Sequence, residues 1–168
     1  MCPECIGLQG GDVLLYSGSG LFAWGIKVKT WSQFSHVEVY DRVGTTVASR
    51  DGKGVNRYLF NEKNLRAILR PKQPPILDLE RGRAWFRTEA IGQPYDWLGL
   101  FAFFSARAQG SMKRAMFCSE FQSRFFKKCG YALFIGDSDA VSPGMNWSNP
   151  MLDLVWAHPD LKPRETEW

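Results

Sequence analysis

Histidine is scarce in this 168-residue sequence, with only His36 and His158 present. Any imidazole chemistry therefore belongs to one of two positions, which narrows the search for a general base before any motif is read. Long apolar runs are also missing: the longest, residues 98–104, falls far short of the roughly 18 residues that a membrane helix needs, so no membrane-spanning segment is expected. The opening residues, Met1-Cys2-Pro3-Glu4-Cys5, lack the basic stretch and apolar core of a secretory signal, and a soluble chain made in the cytoplasm is the expectation. Repeats and low-complexity tracts are absent. The formal charge of +4 is spread over residues 66–72, 81–87, 113–114 and 124–128, as solvated helix faces would spread it, and it demands no nucleic-acid partner. Four cysteines in such a chain argue for thiols rather than a disulfide framework.

What is present is a globular composition, 45% hydrophobic and 23% charged, with seven Trp and twelve Phe that imply an aromatic-rich core. The length suits one domain, residues 1–168. Cys2 and Cys5 form a C-x-x-C pair, half of a zinc or iron–sulfur site, for which Cys129 and His158 offer no matching spacing. An exposed terminal pair is the expectation, with no metal and no cofactor.

The apolar run Val13-Leu14-Leu15-Tyr16 after Gly10-Gly11-Asp12 predicts a buried strand. Residues 21–31 read as a helix interrupted at Gly25. Ser35-His36-Val37-Glu38-Val39-Tyr40 alternates as a half-buried strand does, which puts His36, Glu38 and Tyr40 on one face and Val37 and Val39 on the other. Residues 45–49 read as its hairpin partner, the stretch from Val55 as less regular, and residues 66–70 as a further strand of the sheet. Asp78 is placed to cap a helix running to about Ile91, where Gly92 and Pro94 stop it. Residues 97–105 predict a mostly buried helix, and residues 149–156 a last short one with Asn149 as cap and Pro150 at its first position.

Between them lies Phe117-Cys118-Ser119-Glu120-Phe121. Phe121, Phe125 and Cys129 recur at helical spacing, Glu120 falls in the first turn, Lys127 and Lys128 in the last, and Gly130 follows, so a helix over 118–129 is predicted. A free cysteine is most often a small buried hydrophobe. At a helix N-terminus, however, a thiol meets the positive end of the macrodipole and ionises more readily, which is what a nucleophile needs.

Gly92-Gln93-Pro94-Tyr95-Asp96-Trp97-Leu98-Gly99 followed by Phe117-Cys118-Ser119-Glu120-Phe121, together with Gly11-Asp12-Val13-Leu14 and the His36 strand, resembles the motifs of the NlpC-type papain-like cysteine peptidases. In the common members the histidine follows the cysteine. Here His36 precedes Cys118, as in the circularly permuted branch that includes the lecithin retinol acyltransferase-like proteins. The resemblance covers about half of the chain. It implies an α+β fold, a small antiparallel sheet or partial barrel packed against helices, with the nucleophile at a helix N-terminus. It further implies Cys118 as nucleophile, His36 as its base and Tyr95 as a hydroxyl donor at the oxyanion site. The family usually adds a polar residue on the strand after the histidine, yet Thr46-Val47-Ala48-Ser49 offers no carboxylate, amide or imidazole. Glu38, on the face of His36, is the candidate to orient the ring, and Ser49 is the second.

The function these readings support is a thiol hydrolase cleaving an amide bond in a small peptide, with bacterial cell-wall peptide as the substrate class the resemblance implies and carriage on a bacteriophage tail as one delivery route. Two alternatives remain open from the sequence. One is an acyltransferase or a lipid or thioester hydrolase of the same fold, for which the aromatic segment 97–104 would line an acyl site. The other is a catalytically silent module that binds wall peptide or assembles into a larger particle.

Overall fold

The computed structural model describes residues 6–72, 77–97, 116–136, 138 and 141–161. It is an α+β fold: one six-stranded antiparallel sheet with a few helices. The strands are β1 (Val13–Tyr16), β2 (His36–Arg42), β3 (Thr45–Arg50), β4 (Gly54–Leu59), β5 (Leu65–Pro71) and β6 (Leu152–Ala157), in the order β4-β3-β2-β1-β5-β6. Among the described residues the helices are α1 (Leu21–Thr30), α2 (Leu79–Trp85), which a π turn carries on to Ala90, and α3 (Cys118–Lys128), with a short 3-10 turn at Pro143–Asn146. Among the described residues no helix is long and apolar enough to cross a membrane.

β1 is an inner strand because all four of its residues are apolar and buried, so both of its faces need cover. Val13 and Leu15 join Val37, Val39, Val47, Ala67 and Leu69 in the larger core, whose other wall is Trp85 and Phe86 from the α2 segment and Phe121, Phe125 and Phe126 from α3. Leu14 and Tyr16 turn to the opposite face with Tyr40, Leu65 and Ile68, under Phe60 and Trp156. The two-residue period of a strand thus divides β2 as well: Val37 and Val39 enter the larger core, and Tyr40 the smaller.

α2 and α3 pack closely because Gly82 leaves room for it. A Cβ there would stand 2.3 Å from the Cys129 sulfur and 3.2 Å from Phe125. Trp85 and Phe121 stack across the same contact with ring centroids 6.0 Å apart. Asp78 caps α2 by accepting the Arg81 N–H, as expected.

Three local expectations are corrected. α1 runs through Gly25 without interruption, and its C-terminus is Trp31 in the left-handed conformation (φ 50°), whose N–H bonds the Val28 carbonyl. The stretch from Val55 is regular: it is β4, an edge strand whose polar residues Asn56 and Arg57 blur the alternation while keeping the edge soluble. The last helix does not form. Asn149 accepts the Met151 N–H in a tight turn and donates to the Leu133 carbonyl, and the chain then pairs as β6 along β5. An Asn-Pro pair starts turns as well as helices, and Leu-Val-Trp favours a strand once an open sheet edge is available. The helix expected over 97–105 lies outside the described residues, as do Cys2 and Cys5.

Candidate functional site

Antiparallel register brings the first pieces together. Tyr16, the last residue of β1, lies opposite His36, the first of β2, and their rings are 6.1 Å apart. Ser35 secures this corner: its N–H bonds the Tyr16 carbonyl, and its hydroxyl accepts the Gly18 N–H. His36 therefore stands at the end of the sheet, with its side chain one quarter exposed.

Glu38, two residues on and buried, takes the Nε2 of His36 on its Oε1 at 3.0 Å. The same oxygen accepts Nε of Arg50 at 2.6 Å, while Oε2 accepts the Thr46 hydroxyl at 2.7 Å. Burial alone would favour a neutral acid, but the hydrogen bonds and charges of His36 and Arg50 outweigh it and hold Glu38 down at about 2. A carboxylate held in this way stays ionised and steadies the ring. Ser49, the second candidate for orienting His36, does something else: on the opposite face of β3 its hydroxyl bonds the Met116 carbonyl, two residues before Cys118.

Cys118 is the first residue of α3, as expected, and it is buried. Phe117 precedes it in an extended conformation and provides no side-chain cap, so no capping side chain occupies the first-turn N–H groups. The thiol reaches the imidazole: burial works against a charged His36, but charge and a side-chain hydrogen bond from Cys118, with a smaller contribution from Glu38, raise the ring to about 10.

Tyr95 is brought to the same place by backbone bonds from two other elements. Val55 N–H bonds the Gln93 carbonyl, Gly92 N–H bonds the Val55 carbonyl, and Met116 N–H bonds the Pro94 carbonyl. Gly54 permits the approach, since its φ of +66° is left-handed and a Cβ would meet the Gln93 oxygen at 2.2 Å. Tyr95 packs with Phe117 and Trp97. Burial first, and then the charge of Cys118, pushes its phenol well above the ordinary value, so it remains a neutral O–H donor.

Two cavities meet here, sharing Ile26 and Tyr95. The larger, about 460 Å3, is walled by Tyr16, His36, Glu38, Arg50, Lys63 and Tyr95 among others, a volume in the range of small-molecule sites. The smaller, about 10 Å3, runs over Cys118 beneath Ile26, Thr30 and the 141–143 segment. It has room for one water at most.

The structure thus gathers His36, Glu38, Cys118 and Tyr95 at one site, and leaves Ser49 outside it. Thr46, Arg50 and Tyr16 were not anticipated: Thr46 and Arg50 come to the face of Glu38 through the pairing of β2 with β3, and Tyr16 comes opposite His36 through the pairing of β2 with β1. Cys129 is buried against Gly82 and its thiol is pushed up to about 12, chiefly by burial. His158 pairs with Asp160. Among the described residues no group of three or more His, Cys, Asp or Glu side chains is arranged to hold a metal ion.

No protein-family model matches the chain, and no curated protein matches it. Among solved structures it is similar to the crystal structure of the metalloprotein YiiX from Escherichia coli O157:H7, with a TM-score of 0.64 at 16% identity over 89% of this chain and 97% of that one. At that identity the likeness shows a shared fold.

Proposed function

We propose that this protein is a thiol hydrolase of the circularly permuted NlpC-type papain-like class, cleaving an amide bond in a small peptide, with bacterial cell-wall peptide as its substrate class. The observation that carries the reading is the His36 ring bonded to the Glu38 carboxylate and raised in pKa by Cys118, the first residue of a helix. A cysteine nucleophile needs an imidazole to take its proton and a third group to hold that imidazole, and the three side chains meet the requirement in that order.

In the proposed reaction the Cys118 proton already rests on His36 before the substrate arrives, and the sulfur attacks the substrate carbonyl. The tetrahedral oxyanion is stabilised by the Cys118 backbone N–H and the Tyr95 hydroxyl. His36 then returns the proton to the leaving amine, so the C–N bond breaks and a thioester remains. Water, deprotonated by His36, releases the acid and restores the thiol. Glu38, braced by Thr46 and Arg50, positions His36 and supports its charged form. YiiX is described as a metalloprotein; among the described residues here no group of three or more His, Cys, Asp or Glu side chains is arranged to hold a metal ion, and the proposed steps use the protein's own side chains. A phage-tail setting is the delivery route proposed with this reading.

The test is to incubate purified wall peptides with the protein and follow the products by mass spectrometry. The wild type yields a new amine and a new acid, Cys118→Ala yields none, and His36→Asn loses about 100-fold or more in rate, the scale of a lost general base. Cleavage that survives Cys118→Ala contradicts the proposal, as does a stable long-chain acyl-enzyme formed in place of peptide cleavage.

A further inference from the structure

α1 turns Ile26 inward and leaves apolar residues outside. Ile26 is buried over the Cys118 crevice, whereas Trp24 and Val28, two residues to either side of it, are 63% and 50% exposed. Trp31, which ends the helix, is 96% exposed. Spacings of four and three put these three residues along one outward side of the helix. Met145 extends the surface: it is 44% exposed on the Pro143–Asn146 turn, whose Gly144 lies so close to Ser32, the neighbour of Trp31, that a Cβ would have no room. Single exposed apolar residues are ordinary on a protein surface, but a contiguous run with two Trp in it marks an interaction site.

Trp31 is the residue that packing within the chain explains least. Its φ of 50° is left-handed, a conformation in which helices commonly end on Gly or Asn and in which a bulky residue is uncommon. At its exposure the indole gains no burial in return, so it serves a partner outside the chain. Charge identifies the kind of partner. Residues 17–35 contain Lys27 and Lys29 and no Asp or Glu, and the Lys27 ammonium bonds the Gly18 carbonyl beside the helix. Indole rings settle at the boundary between lipid headgroups and acyl chains, and a basic segment is drawn to the negative potential of anionic lipid. With ten residues α1 is about 15 Å long, about half the thickness of a bilayer core, so it suits lying on a membrane and not crossing it.

We propose that the outer side of α1, with Trp24, Val28 and Trp31 and with Met145 beside them, is a docking surface for an anionic lipid bilayer. The crevice over Cys118 is lined by Ile26 and Thr30 of the same helix and by Ser142 and Pro143 next to the Met145 turn, so docking brings the crevice to the bilayer surface. This goes beyond the thiol-hydrolase reading by assigning the place where the protein works, and it holds whichever bond is cut.

Vesicle flotation tests it without any turnover. The wild-type protein is mixed with vesicles of phosphatidylcholine alone and with vesicles of phosphatidylcholine and phosphatidylglycerol in equal parts. It floats with the mixed vesicles and partitions more weakly onto the neutral ones, and added salt weakens the binding. The double variant Trp24→Ala, Trp31→Ala loses about tenfold or more in partitioning onto the mixed vesicles, the scale set by the apolar area of two indoles. Its melting temperature matches that of the wild type, because neither ring is buried in the fold. Val28→Gln, a milder change on the same side, weakens partitioning as well. Absence of binding, equal binding to the two compositions, or binding that survives the double substitution overturns the proposal. A wild type that self-associates in sedimentation while the double variant stays monomeric assigns the patch to a second copy of the chain and also overturns it. Vesicle binding does not require Cys118 to react, and Cys118→Ala should bind as the wild type does, so failure of the docking surface and failure of the thiol mechanism are distinguishable.

Discussion

His36 sets the chemistry at the scale of single residues, because its burial and its charge oppose each other. Burial disfavours an imidazolium, yet Cys118 and Glu38 raise it to about 10. The folded value lies above the ordinary 6.5, so the stability it contributes is fully present below about pH 6.5 and is lost as pH rises through about 10. Any step in which His36 gives up its proton to a leaving amine should share that alkaline limit. Glu38→Gln removes one of the two supports, and the alkaline limb of a pH–rate profile should move down by about one unit or more, the usual effect of losing an adjacent opposite charge. A limb that does not move would show that Glu38 is a bystander. His36 and Glu38 were legible in the sequence because strand alternation puts residues two apart on one face. Arg50 and Tyr16 were not, since their proximity depends on the pairing of β2 with β3 and with β1, which sequence spacing along one strand does not specify.

Helix packing governs access and precision at the scale of elements. α3 can present Cys118 only if it sits correctly on the sheet, and Gly82 sets how closely α2 holds it. Gly82→Ala forces a methyl group into the Cys129 sulfur, and a destabilisation of about 1–3 kcal/mol is expected, measurable by denaturant unfolding. α1 acts on the site differently: Ile26 and Thr30 cover the crevice over Cys118. Ile26→Ala should speed alkylation of Cys118 by iodoacetamide, read by intact mass and peptide mapping, while Cys129 stays unmodified as an internal control because burial holds it as a thiol. Unchanged alkylation would show that α1 is not the barrier. The helix over 118–129 was legible because apolar spacing, end charges and Gly130 agree. The expectation at 149–156 failed for the opposite reason, since one cap-like pair of residues stood against an open sheet edge that only the tertiary structure reveals.

For the whole molecule, the continuous apolar run of β1 marks a strand covered on both faces, so its inner position could be read from the sequence, whereas the strand order and the β5–β6 pairing could not. The fold shared with YiiX at 16% identity shows how little of the chain an α+β sheet of this kind constrains. The architecture places the end of β2, the start of α3 and the Tyr95 segment at one corner although they lie far apart in sequence, and β4 secures that segment through Val55 and Gly54.

The most direct test of the account is the titration of His36 itself. With only two histidines, 15N-labelled imidazole signals can be assigned by comparing the wild type with His158→Gln. The account predicts that His36 remains an imidazolium until about pH 10 and that Cys118→Ser lowers this value. A His36 that titrates near 6.5 in both proteins would contradict the coupling between ring and sulfur on which the proposed chemistry rests.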